Sequence, residues 1–274
     1  RFIRQSAAFD LARIASIKST ESILKARIPN NIKMHALKSI LEGSILHQKE
    51  CMHAPYGNLN TNQQRIIEDL DNLIRENFAG NIVIDKAILP GRTSDNNQAK
   101  NGNICLSDTL NLLKSPSLED RELGIHLLTN NNQFIHSDLS NLYFSESDQD
   151  IKVGLIKAMA STENPRFFTA LLDAVGVEIG NHCQGNIRRI ATCALGRMIS
   201  KNHINKEAAQ SIIEKLAWAI TKPDDWGLRY SASLALEEIS TNQSTELLTM
   251  ASRLESDAVV LMRINLAKHK TVNL

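Results

Sequence analysis

The fold is indicated by residues 229–236, which read Arg-Tyr-Ser-Ala-Ser-Leu-Ala-Leu. A basic residue, Arg229, is followed three positions later by a small residue, Ala232, and four positions beyond that by a large apolar residue, Leu236. Steps of three and four residues place these side chains on one face of an α-helix, and the small residue lets a neighbouring helix approach closely. This stretch therefore predicts one helix of a tightly packed helical pair.

The same basic, small, apolar pattern recurs along the chain. The further copies are Arg4-Ala7-Leu11, Lys33-Ala36-Ile40, Arg121-Gly124-Leu128, Lys152-Leu155-Met159 and Arg188-Ala191-Leu195. Other segments with helical apolar spacing lie between the copies: Thr20–Ile28, Pro165–Val177, Lys206–Thr221 and Thr245–Leu254. The copies of the C-terminal half follow one another at intervals of 31 to 41 residues, close to the length of a two-helix HEAT repeat. The sequence therefore predicts an all-α fold, a HEAT-like helical-repeat solenoid in the form of an α-α superhelix.

The pattern divides the chain into two groups of repeats. Residues 1–88 and 104–274 carry helical spacing, and residues 89–103 lie between them. This middle segment is rich in Asn, Gly and Ser and has no periodicity, which is typical of an exposed loop. We expect N-terminal and C-terminal HEAT-like repeats, joined by a flexible loop in one continuous solenoid. The loop is interpreted in one of two ways. It is a hinge, or an arm that becomes ordered when a partner binds; alternatively, it is an insertion without a function.

Charge and hydropathy narrow the range of functions. Lys and Arg together number 31 and Asp and Glu 30, so the net charge of +1 gives no whole-molecule field that attracts nucleic acid or an anionic membrane. No apolar run reaches the length of a membrane span, and the amphipathic start of the chain is unlike an export signal. We therefore expect a soluble, cytoplasmic protein. Because the sequence begins at Arg1, it leaves open whether earlier repeats precede it.

The cysteines and histidines show no metal-binding spacing. Cys51, Cys105, Cys183 and Cys193 are far apart, which argues against a zinc site and a disulfide framework and favours a reducing compartment. The eight histidines are dispersed, and the common catalytic motifs are absent. We predict no metal.

The residues best suited to bind a ligand surround the start of one predicted helix. Both tryptophans, Trp218 and Trp226, fall in the same predicted hairpin. A Trp at a helix entrance with Tyr230 one turn later and Arg229 between them predicts a wall for a flat, conjugated ligand that bears carboxylates. We expect this face to line the concave groove of the solenoid. In the alternative interpretation, Asp225 and Arg229 only tie one repeat to the next.

Two stretches carry a family resemblance. Residues 225–232, Asp-Trp-Gly-Leu-Arg-Tyr-Ser-Ala, and residues 187–196, Ile-Arg-Arg-Ile-Ala-Thr-Cys-Ala-Leu-Gly, resemble the E/F-type phycobilin lyases of cyanobacteria. The resemblance implies an enzyme that attaches a linear tetrapyrrole to a cysteine of a phycobiliprotein subunit, with a phycoerythrin subunit and phycoerythrobilin as the expected pair. It leaves open whether attachment is coupled to isomerisation of the bilin. The implied partners are the bilin as substrate, the phycobiliprotein subunit and, as in some family members, a second lyase subunit.

The resemblance also implies roles for individual residues. The propionates of the bilin would contact Arg188, Arg189 and Arg229, and its rings would contact Trp226 and Tyr230. Asp224 or Asp225 would be the catalytic carboxylate beside the pyrrole nitrogens. The nucleophile would be the acceptor cysteine of the client protein, so no tightly bound cofactor is expected. Alternatively, Cys183 would hold the bilin transiently.

Two other classes of protein remain open. A non-catalytic HEAT-repeat scaffold for protein interaction accounts for every feature except residues 225–232. A HEAT-like DNA glycosylase also places Trp, Asp and Arg on a concave face, but phosphate binding normally requires a basic excess that this chain lacks. We therefore expect no nucleic-acid partner.

Overall fold

The computed structural model of the chain describes residues 17–26, 28–52, 59–75, 105–130, 138–177, 182–222 and 224–272, together with Ala7 and Asp10. These residues form thirteen α-helices and two 3₁₀ turns, and no strand occurs among them. The helices are α1 Thr20–Lys25, α2 Asn30–Met52, α3 Thr61–Arg75, α4 Leu106–Leu113, α5 Leu118–Asn130, α6 Leu139–Ser145, α7 Gln149–Thr162, α8 Phe168–Gly176, α9 His182–Ser200, α10 Lys206–Ile220, α11 Trp226–Ile239, α12 Asn242–Leu254 and α13 Ala258–Val272. The 3₁₀ turns are Ile17–Ser19 and Pro165–Phe167.

The C-terminal helices pack in two rows. Helices α5, α7, α9, α11 and α13 form the first row, in which each helix contacts the next. Helices α6, α8, α10 and α12 form a second row, and each also packs on a helix of the first row. Consecutive helices thus form stacked pairs, which is the arrangement of a helical-repeat solenoid. The predicted all-α solenoid is confirmed. In the part of the chain that the structure describes, no helix has the length and apolar character needed to cross a bilayer.

The recurring sequence pattern marks the first row. Four of its copies lie in α5, α7, α9 and α11, and their small and large apolar positions are buried. The copy Lys33-Ala36-Ile40 lies in α2, and Arg4-Ala7-Leu11 falls outside the described residues except for Ala7. The helices approach each other most closely where side chains are smallest: a Cβ atom added to Gly196 of α9 would lie 2.7 Å from the Cβ atom of Ala235 in α11. Any larger residue at position 196 would force the two helices apart.

The N-terminal hairpin, formed by α2 and α3, packs against the first row. Helix α2 contacts α13, and α3 contacts α9 and α11. Helix α11 therefore has neighbours on all sides, and every residue from Gly227 to Leu236 is buried. The expectation that this face lines an open groove is wrong for Arg229 and Tyr230, because Glu255 covers the first and α3 covers the second.

Polar contacts join the N-terminal hairpin to the C-terminal helices. The Oδ1 atom of Asp71 in α3 accepts hydrogen bonds from the Tyr230 hydroxyl at 2.8 Å and from Arg263 Nε at 3.0 Å. Lys38 of α2 forms an ion pair with Asp257 at 2.9 Å. These bonds link positions that are far apart in the sequence. The predicted loop 89–103 lies outside the described residues, so the boundaries 1–88 and 104–274 stay a prediction.

Candidate functional site

Asp225 and Arg188 form a buried ion pair. Asp225 caps the N-terminus of α11, since its Oδ1 atom accepts a hydrogen bond from the Leu228 amide at 2.9 Å. Its Oδ2 atom accepts one from Arg188 Nη1 at 3.1 Å, and the side chains of Asp225 and Arg188 are only 7% and 2% exposed. Arg188 also donates to the Val175 carbonyl. The pair therefore ties α8, α9 and α11 together, in agreement with the alternative interpretation in which Asp225 joins one repeat to the next.

Arg229 is held by a different neighbour. Its Nε and Nη2 atoms donate to the carboxylate of Glu255 at 2.6 and 3.2 Å, and its Nη1 atom donates to the Lys222 carbonyl at 2.8 Å. A bidentate pair of this kind has a fixed geometry. Arg229 thus joins α11 to the connection between α12 and α13. Trp226 faces the N-terminal hairpin instead, so the two residues do not form the expected common wall.

Tyr230 lies beneath the N-terminal hairpin. Its side chain is completely buried and its hydroxyl donates to Asp71. Burial, followed by the negative charge of Asp71, raises the pKa of Tyr230 well above its ordinary value. The prediction that Tyr230 forms part of a ligand-binding wall is wrong as regards exposure, although its ring meets that of Trp226 edge-on at a centroid distance of 6.3 Å.

Trp226 lies at the junction of α2 and α11 and is half-buried. The ring of His35 meets it edge-on at a centroid distance of 5.5 Å, and Lys38 Nζ lies 5.4 Å from its centroid. Lys38 is fixed there by ion pairs with Asp257 and Glu42. The indole ring is therefore held between the two halves of the chain rather than on a single repeat.

Arg189 completes this cluster. It is half-buried and donates to the Asn186 side chain. A Cβ atom added to Gly227 would lie 3.0 Å from Arg189 Cδ, so the glycine allows the arginine to cross the start of α11. The pKa of His35 is lowered by desolvation and then by the charges of Arg189 and Lys38, and the imidazole is neutral at pH 7. We call His35, Lys38, Arg189 and Trp226 the Trp226 patch.

The two remaining candidates differ in exposure. Asp224 is 60% exposed and lies 3.7 Å from Lys222 Nζ, so its carboxylate is accessible, in contrast to that of Asp225. Trp218 is 38% exposed on α10. It shares no ring contact with Trp226 among the described residues, although the two belong to one hairpin.

Sequence reasoning missed His35 and Lys38. Both lie in α2, about 190 positions before Trp226, and neither carries a local signal that points to it. The basic position of the repeat in α2 is Lys33, whose ammonium donates to the Leu24 carbonyl. The partners Asp71 and Glu255 were missed for the same reason.

The two cysteine side chains that the structure describes occupy structural positions. Burial raises the pKa of Cys193 to about 11, so its thiol is protonated and unreactive at pH 7. Cys105 caps α4 by accepting a hydrogen bond from the Asp108 amide. The side chain of Cys183 lies outside the described residues, and its transient role stays untested. Within the described ranges, no three His, Cys, Asp or Glu residues are grouped in a way that could hold a metal ion.

A helical-repeat solenoid that holds an indole ring beside an ammonium group and a neutral imidazole is a protein suited to a flat, polar ligand. No protein-family model matches the sequence. The chain is 44% identical over 121 residues to the bilin biosynthesis protein PecF of Mastigocladus laminosus, a match that covers 44% of this chain and 57% of that protein. It is 38% identical over 125 residues to the bilin biosynthesis protein PecF of a Nostoc species, a match that covers 46% of this chain and 72% of that protein.

The second relative is similar enough, over enough of its length, to establish the family. The chain belongs to the E/F-type phycobilin lyase family, as the sequence predicted. It spans somewhat more than half the length of the Mastigocladus relative. The ligand-binding and catalytic roles of the individual residues stay predictions.

Proposed function

We propose that this protein is a phycobilin lyase, or a chaperone of the same reaction, that attaches a linear tetrapyrrole to a cysteine of a phycobiliprotein subunit. The observation that carries the proposal is its similarity to two bilin biosynthesis proteins. Phycoerythrobilin and a phycoerythrin subunit are the proposed substrates, with the cytoplasm as the compartment. Isomerisation of the bilin and a second lyase subunit are finer parts of the proposal and rest on the family resemblance alone.

The chemistry of the Trp226 patch is compatible with this function. The indole ring of Trp226 offers a flat contact to conjugated pyrrole rings. A neutral His35 offers one hydrogen-bond donor and one acceptor to pyrrole nitrogens and lactam oxygens. Arg189 offers a guanidinium to oxygen atoms of the pigment. A site of this kind would orient the bilin without a covalent bond to it.

The transfer step needs positioning and proton delivery. The sulfur of the client cysteine forms a bond to the unsaturated side chain of the A ring, and the proton that the thiol loses is balanced by one added to the tetrapyrrole. Asp224 is the accessible carboxylate that would accept the thiol proton and pass it to the tetrapyrrole, since Asp225 is committed to Arg188 and to the helix cap. Holding the two reactants in place accounts for most of the acceleration that such a site provides.

The test is reconstitution of the transfer. The chain is co-expressed with a bilin synthesis pathway and with candidate phycobiliprotein subunits, and covalent pigment is detected on denaturing gels by zinc-induced fluorescence. We expect a pigmented subunit that is absent when the chain is omitted. No pigmented subunit with any bilin, together with an unchanged bilin absorbance spectrum at saturating protein, would refute the proposal.

A non-catalytic scaffold is the second candidate function. It is favoured by the structural use of three predicted site residues, since Arg188, Arg229 and Tyr230 all bind buried protein partners. A scaffold would bind a phycobiliprotein or another partner without affecting the pigment. Binding of the client in pull-down experiments, without any bilin binding, would establish it.

A further inference from the structure

Helix α10 carries an aromatic ring surrounded by cations. The ring of Trp218 has the ammonium of Lys215 at 5.3 Å, the ammonium of Lys222 at 5.5 Å and the guanidinium of Arg188 at 5.5 Å from its centroid. Trp218 is 38% exposed, so part of the ring is open to solvent. We call these four residues the Trp218 patch.

The positive charge of the Trp218 patch is only partly balanced. Asp225 neutralises Arg188, and the exposed Asp224 lies 3.7 Å from Lys222. Lys215 forms no ion pair with any carboxylate that the structure describes. Its ammonium instead packs on Gly176 at the end of α8, where an added Cβ atom would lie 3.1 Å from it. The indole ring and the C-terminus of α8, which carries the partial negative charge of the helix dipole, both attract cations to the Trp218 patch.

On this basis, and given the proposed function, we infer that the Trp218 patch binds the propionate carboxylates of the linear tetrapyrrole. Lys215 and Lys222 bind the two carboxylates, and the exposed part of the Trp218 ring contacts the conjugated system. A ligand that is both flat and doubly anionic matches an aromatic ring flanked by two ammonium groups. A protein interface fits less well, because lysine is depleted where proteins bind each other.

The Trp218 patch and the Trp226 patch are connected through α9. Arg188 belongs to the first and Arg189 to the second, and they are consecutive residues of this helix. Asp224, which lies beside Lys222, is then next to the bound pigment. This location gives the exposed carboxylate access to the pyrrole nitrogens that it is proposed to protonate.

The inference is tested with Lys215→Gln, Lys222→Gln and the double variant of the full chain. Lys206→Gln is the matched control, because it removes one positive charge from an exposed position on the same helix. Each protein is titrated with phycoerythrobilin and with its dimethyl ester, which lacks the carboxylates, and binding is followed by pigment absorbance. We expect each single change to weaken binding of the acid about fivefold and the double change about twentyfold. The ester should bind all variants equally.

The outcomes separate the inference from the proposed function. If the unmodified protein binds phycoerythrobilin but the double variant binds it equally well, the inference is overturned and the proposed function stands. If the unmodified protein binds neither pigment, the proposed function fails and the inference fails with it. If pigment binding is unchanged but transfer to the phycobiliprotein falls, the patch docks the client protein, and the inference is again wrong. Thermal melting confirms that each variant is folded.

Discussion

Replacing Asp71 by alanine should loosen the N-terminal hairpin from the helices that it covers. The Asp71 carboxylate accepts hydrogen bonds from the buried Tyr230 hydroxyl and the buried Arg263 guanidinium. Arg263 is 1% exposed and Asp71 is 19% exposed. Without Asp71, the hydroxyl loses its acceptor, and Arg263 retains Glu237 as its carboxylate partner.

The magnitude follows from the two bonds. Removing one partner of a buried ion pair lowers the free energy of unfolding by about 3 to 5 kcal/mol. Because Arg263 keeps Glu237 and Asp71 is partly solvated, we expect a loss of about 3 kcal/mol, near the lower limit. Tyr230→Phe removes only a neutral donor and should lower the free energy of unfolding by about 1 kcal/mol. In the double variant the second change should have little additional effect, which corresponds to a coupling energy of about 1 kcal/mol.

The assay is urea unfolding followed by circular dichroism and by tryptophan fluorescence. Trp226 contacts His35 of the N-terminal hairpin, so its emission in a Trp218→Phe background reports on docking, whereas circular dichroism reports on all helices. A fluorescence transition that precedes the dichroism transition in Asp71→Ala would show that the hairpin separates first. Asp224→Asn, at an exposed position, is the control and should change stability by less than about 0.5 kcal/mol. A similarly small effect of Asp71→Ala, or additive effects of the two changes, would refute the reasoning.

Three further predictions concern packing, pH and the site. Gly196→Ala should lower the free energy of unfolding by about 2 kcal/mol or more in urea titration, because its Cβ atom would meet Ala235 at 2.7 Å; an unchanged midpoint would contradict the close approach. Burial raises the pKa of Tyr143 above that of an unfolded tyrosine, 10.0. The stability that the protonated Tyr143 side chain contributes is therefore lost as the pH rises above 10. Tyr143→Phe should flatten the fall of the urea unfolding midpoint above this pH. Trp226→Ala should reduce bilin transfer about tenfold or more while Trp226→Phe retains most of it; a loss of transfer in proportion to a loss in melting temperature would instead assign Trp226 to packing.

The row of repeat helices could be predicted because its signal is local. Apolar spacing over one helix predicted Lys206–Thr221, and the structure has a helix at Lys206–Ile220. The apolar side chains that predict this helix lie three and four positions apart, so the sequence of the helix alone contains the periodicity needed to predict it. The same holds for the N-cap at Asp225, whose partner Leu228 is three residues away.

The covering of α11 by the N-terminal hairpin could not be predicted in this way. Asp71 and Tyr230 are separated by 159 positions, and nothing in the sequence around either residue identifies the other. An Asp on an amphipathic helix is most often solvated, and a Tyr one turn after Trp226 is as compatible with an exposed wall as with a buried contact. The burial of Tyr230 is a property of the assembled chain. For this reason the sequence predicted α11 as a helix of the solenoid but not the burial of Tyr230 within it.

The covered groove changes where a ligand can bind. An open concave face over α11 would have placed the pigment against the middle of the helix, but those residues are buried. Access is left at the start of α11, where Trp226 meets α2 and where Asp224 is exposed. A site at this position takes His35 from the N-terminal part of the chain and Arg189 from the C-terminal part. The proposed site therefore draws on residues from both groups of repeats, and bilin binding has to be tested in the intact chain.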